Sequence, residues 1–61
     1  MSAYVLSVQF DDHQNVQETV WAPAADEAIE FIARLFAHHP SAARIVLSRN
    51  GRPMFVAVRP E

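Results

Sequence analysis

Asn50-Gly51 lies between two apolar runs, "ARIVLS" and "PMFVAV", and no other feature narrows the fold so far. A two-residue type I′ turn needs positive φ at both central positions, which asparagine and glycine tolerate. The pair predicts a hairpin closed by Arg49 and Arg52, with Ser48 opposite Pro53 and Leu47 opposite Met54. Further out, Val46 meets Phe55, Ile45 meets Val56 and Arg44 meets Ala57. In that register Leu47, Met54, Ile45, Val56 and Val58 face a core. Ser48 and Pro53 form a non-hydrogen-bonded pair, so the proline nitrogen points outward and the last strand is a sheet edge.

A second strand pair comes first in the chain. "AYVLSVQF" alternates, sending Tyr4, Leu6, Val8 and Phe10 one way and Val5, Ser7 and Gln9 the other. The polar "DDHQN" turns it back into "VQETVWA". Pairing Phe10 with Val16 sets Val8 against Glu18, Leu6 against Val20 and Tyr4 against Ala22. The reverse face then holds Val5 against Trp21 and Ser7 against Thr19. Pro23 ends this strand, since proline cannot sit inside a paired ladder.

"AADEAIEFIARLFAHH" reads as a helix: Ala28, Ile29, Ile32, Leu35 and Phe36 form one apolar stripe at helical spacing. Phe31 lies on its flank. Asp26 and Glu27 occupy the first turn, where negative charge suits the dipole. Pro40 stops it. The expected fold is therefore one domain over residues 1–61, a two-layer α+β unit of ββαββ order. One helix covers one face of a four-stranded antiparallel sheet in the spatial order 2-1-3-4, which makes every neighbouring pair antiparallel. Glu18, a charge on the inner face of an edge strand, guards that edge against further pairing.

A domain this short buries only about 60% of its unfolded surface. It has no cysteine, so disulfides and thiolate metal sites are excluded. No run approaches the roughly 20 apolar residues of a membrane span, and no basic segment precedes the apolar run at the start. The expected location is the cytoplasm, without membrane association. Net charge is −2 but unevenly spread: residues 1–39 set six acidic groups against Arg34, whereas residues 40–61 set four arginines against Glu61. Such asymmetry marks a surface for an acidic partner.

The sheet face without a helix is the expected binding surface. It carries Val5, Trp21, Val46, Phe55 and Ala57, with Arg44 and Arg59 bordering Phe55. A monomer seldom exposes such a patch without a use for it. Arg49 and Arg52 add a pair of guanidinium forks at the turn, suited to carboxylate or phosphate. Asp11, Asp12 and His13 read as a solvated turn. His38 and His39 point about 100° apart on the helix and suit its negative C-terminal end, so no metal or cofactor is expected. No Gly-rich phosphate loop, HExxH or nucleophile motif occurs, and catalysis is not expected.

In length and element order the whole chain resembles the short ββαββ proteins encoded by phages and other mobile elements, anti-CRISPR inhibitors among them. No motif is shared, so no functional residue carries over. The resemblance implies an inhibitor of a host defence or regulatory complex. The expected function is a non-enzymatic protein-binding module, inhibitor or adaptor, whose partner is another protein or a second copy docked through the sheet. The alternative is a nucleic-acid platform on which Trp21 and Phe55 stack bases while arginines meet phosphates.

Overall fold

The structure is a computed structural model that describes residues 2–59. Its elements are β1 (Ser2–Phe10), β2 (Asn15–Ala22), α1 (Ala25–His38), β3 (Ala42–Arg49) and β4 (Arg52–Val58). The sheet order is β2-β1-β3-β4 and every pair is antiparallel, the order that element logic predicts. Both β2 and β3 run opposite to β1, so α1 carries the chain between two parallel strands across the central one. It packs over β1, β2 and β3, with β4 at the margin of the area it covers. No helix among the described residues is long and apolar enough to cross a membrane.

The first hairpin is displaced from its expected register by two residues: Tyr4 pairs with Val20, Leu6 with Glu18 and Val8 with Val16. The turn causes it. Phe10 N–H donates to Gln14 O at 3.0 Å and His13 N–H to Phe10 O at 3.1 Å, with His13 at φ 69°. Asp12 Oδ1 also accepts from Gln14 N–H at 3.2 Å, so the loop closes before Asn15 rather than after it. A two-residue slip returns every side chain to the same face. Tyr4, Leu6 and Val8 accordingly stay in the core, and Val5 and Trp21 stay out of it.

The second hairpin changes more. Arg49 pairs with Arg52 and Ser48 with Pro53, but Leu47 then pairs with Phe55, Val46 with Val56, Ile45 with Ala57 and Arg44 with Val58. Met54 is the extra residue of a β-bulge, and one extra residue turns the rest of the strand over. Phe55 and Ala57 therefore share the helix face with Leu47 and Ile45, while Val56 and Val58 lie on the open face. The expected core placement of Met54, Val56 and Val58 is corrected accordingly: all three are exposed. So are the expected open-face positions of Phe55 and Ala57.

The core holds Tyr4, Leu6, Val8, Ala22, Ala28, Ile32, Leu35, Ala42, Ile45 and Leu47. Ile29, Phe31 and Phe36 pack half-buried around it. A second irregularity, at Phe10, sets that residue opposite Ala42 and keeps Ala42 inward. At its start α1 has no side-chain cap; Ala24 at φ −149° accepts from the Glu27 and Ala28 N–H groups at 3.2 and 3.3 Å.

Asn50 and Gly51 adopt φ 54° and φ 78°, as the type I′ turn requires. No heavy atom stands within 4 Å of a Cβ placed on Gly51, so substitution there meets only backbone strain. Gly51→Ala should lower unfolding free energy by about 1–2 kcal/mol, the cost of a left-handed L-residue. Urea titration measures it, and an unchanged midpoint would contradict this turn geometry.

Candidate binding face

Register alone assembles the open face. Ala3, Val5, Ser7 and Gln9 of β1 stand beside Trp21, Thr19, Gln17 and Asn15 of β2. On the other side of β1 come Ser48, Val46 and Arg44, then Val56 and Val58 of β4. Diagonal neighbours in a sheet lie about 7–8 Å apart, within reach of long side chains. An apolar band thus crosses the sheet obliquely from Trp21 through Val5 and Val46 to Val56. Trp21 is 66% exposed and Val58 68%, while Val5 and Val46, in the middle of the band, are half-buried.

Neutral polar groups frame it. Ser7, near the middle of the face, is the one buried polar residue among the described residues, at 9%. Arg44 is the only charged side chain that register puts on this face among the described residues, and its Nε donates to Gln9 Oε1 at 2.7 Å. That bond holds the guanidinium along the sheet, next to Val58.

The other expected site residues stand elsewhere. Phe55 lies on the helix face, 42% exposed at the margin of the area α1 covers. Arg49 shares that face and sets its guanidinium over the Tyr4 ring, 5.8 Å from the centroid. The stacking explains why a charge is placed beside the turn: the arginine lids the rim of the core. Arg52 pairs with it across the turn and is exposed.

Arg59, half-buried, turns back onto the end of α1. Its Nε donates to Ala42 O at 3.0 Å, and Nη2 donates to Phe36 O at 2.9 Å and His39 O at 3.0 Å. Its guanidinium also stacks over the Phe36 ring at 4.7 Å. Helix C-termini leave carbonyls without intrahelical donors, and α1 lacks the glycine that commonly closes such an end. Arg59 supplies the donors. The bulge at Met54 makes this contact available, because without it Arg59 would emerge on the open face. Of the eight expected site residues, Val5, Trp21, Val46 and Arg44 therefore come together, and Val56 and Val58 join them in place of Phe55 and Arg59.

On the helix side, Glu18, Phe31, Arg34, Leu35, His38 and His39 line a shallow cleft of about 420 Å³. His39 packs edge-on against Phe10 with ring centroids 5.9 Å apart, and Arg34 covers Phe31 at 5.4 Å. His38 is exposed. Among the described residues no three metal-ligating side chains converge. No family model, curated protein or solved structure matches this chain.

Proposed function

We propose that the chain is a non-enzymatic protein-binding module, an inhibitor or adaptor, whose contact surface is the open sheet face centred on Trp21, Val5, Val46 and Val56. The exposure of Trp21 on a face with a single, already bonded arginine is the observation that carries this reading. Interface centres are rich in aromatics and poor in charge, and tryptophan is the commonest energetic anchor. A host defence or regulatory complex is the partner class that the likeness to small mobile-element inhibitors suggests, and the cytoplasm is the compartment that goes with it.

The placement of the aromatics disfavours the nucleic-acid reading. Trp21 and Phe55 lie on opposite faces, so they do not form one stacking platform, and Arg49, Arg52 and Arg59 are not arrayed around Trp21. A single-strand platform needs both rings and cations on the same side.

Trp21→Ala tests the proposal. A residue exposed to this extent contributes little to folding, so the unfolding free energy from urea titration should move by less than about 0.5 kcal/mol. Capture of a specific host protein by immobilised chain should fall at least tenfold, the scale of an anchor residue worth about 2 kcal/mol. Oligonucleotide binding that weakens steeply with salt would instead transfer the function to phosphate contacts.

A further inference from the structure

We propose that two copies of the chain join through their β4 edges, antiparallel about a twofold axis at Ala57, into one eight-stranded sheet. The interface is the backbone edge rather than the open face, so it stands independently of the reading above. Its geometry follows from one hydrogen bond. Arg59 N–H donates to Ala43 O at 3.2 Å, which makes Ala43 and Arg59 a hydrogen-bonded pair. Antiparallel pairs alternate, so Ile45 with Ala57 is bonded, while Arg44 with Val58 and Val46 with Val56 are not. Residues of non-bonded pairs aim their own N–H and C=O away from the partner strand. Val56 and Val58 therefore present two donors and two acceptors to the outer side of β4, where the sheet has no further strand among the described residues.

These groups are self-complementary. Rotation about Ala57 sets Val56 of one copy against Val58 of the other, and the reverse, closing four backbone hydrogen bonds. The same rotation joins the exposed Val56 and Val58 side chains of both copies on the open face. On the helix face it puts Ala57, a small residue, at the axis, and brings Phe55 of one copy beside Arg59 of the other. Charge does not oppose the arrangement. Arg52 stands five residues from the axis at about 3.4 Å each, so the two turns lie roughly 34 Å apart, well beyond the screening length of about 8 Å.

The two edges of the sheet are treated differently. β2 is exposed from Asn15 to Thr19, its residues there are polar apart from Val16, and Glu18 sits among them. β4 carries no charge from Pro53 to Val58. Unpaired edges invite pairing unless charge, proline or bulge blunts them. Here Pro53 and the Met54 bulge blunt only the turn end, and the outer half of β4 stays open. An isologous contact uses up both open edges and leaves the guarded β2 edges outermost.

Sedimentation equilibrium on the purified chain tests the proposal. The expected mass is twice the 6.9 kDa of one chain, dissociating on dilution. Val56→Pro removes an N–H that makes no bond within the sheet, as Pro53 already does, so the monomer should keep its circular dichroism. Its dimer dissociation constant should rise at least about tenfold, the loss expected from 1.4 kcal/mol of pairing. Val58→Lys, which sets a charge on the contact without touching the backbone, should do the same and serves if the proline variant fails to fold. A wild-type chain that is monomeric at millimolar concentration overturns the proposal, and so does a dimer that survives both substitutions. A dimer abolished by Trp21→Ala but not by Val58→Lys would also overturn it, since the contact would then be the face. Loss of foreign-partner capture in Trp21→Ala leaves the edge dimer intact, so the two readings fail separately.

Discussion

Replacing Arg59 by alanine is expected to remove about 2–4 kcal/mol of unfolding free energy. Hydrogen bonds from a charged donor contribute about 1.5–3 kcal/mol each, and the partial exposure of this one reduces the total from three. The carbonyls of Phe36, His39 and Ala42 each lose the guanidinium as donor where α1 turns into β3, and His39 O keeps its bond from the Ala42 N–H at 2.9 Å. A chain of 61 residues has roughly 3–9 kcal/mol of total stability at 0.05–0.15 kcal/mol per residue. Arg59→Ala should therefore leave a sizeable unfolded fraction at room temperature. Arg59→Lys should recover less than half of the loss, because an ammonium lacks the planar fork that reaches Ala42 on one side and the helix end on the other. Urea titrations of the three proteins measure this. Equal midpoints for wild type and Arg59→Ala would mean that water serves those carbonyls as well as the guanidinium does.

Leu6→Ala should have an effect of the same order for a different reason. Leu6 is fully buried on the central strand, opposite Glu18 on one side and Leu47 on the other. Truncating a buried leucine costs about 2–5 kcal/mol, the transfer free energy plus the cavity left behind. The expected result is a chain mostly unfolded in dilute buffer, shown by loss of dispersed amide resonances. Val58→Ala removes aliphatic atoms too, but from a residue 68% exposed, and should stay within about 0.5 kcal/mol of wild type. If Leu6→Ala and Val58→Ala behaved alike, the assignment of sheet faces would be wrong.

Most of the fold is legible in the chain because its signals agree. Asn50-Gly51 fixes one hairpin, Pro23 and Pro40 bracket the helix, and the stripe from Ala28 to Phe36 names the buried side. Strand order follows from those elements with little freedom. The register of the first hairpin is less legible, since the Asp12 side-chain bond and the left-handed His13 move the closing pair. Faces survive that error because the slip is even.

The error in β4 is odd, and it propagates. Nothing in "PMFVAV" distinguishes a regular strand from one bulged at Met54, since Phe55 and Ala57 are as apolar as Met54, Val56 and Val58. What decides is a tertiary demand, the open carbonyls at the end of α1. A signal for it does exist. The helix ends in His38-His39-Pro40 without a glycine, so a donor must come from elsewhere, and Arg59 is an arginine in reach of the strand's end. Alternation treats each strand alone and misses that requirement. The part of the candidate face made by Val5, Trp21, Val46 and Arg44 was accordingly readable, and the part contributed by β4, Val56 and Val58, was not.

The bulge at Met54 also bears on how this protein tolerates changes in chain length. Deleting Met54 would join Pro53 directly to Phe55 and restore a plain ladder, with Leu47, Ile45 and Ala43 keeping their present partners. A lost residue there is absorbed locally, whereas one lost from Val56 onward would carry Arg59 to the wrong side and free the helix end. Related chains of this design could therefore differ by a residue beside the turn and still keep the same two faces.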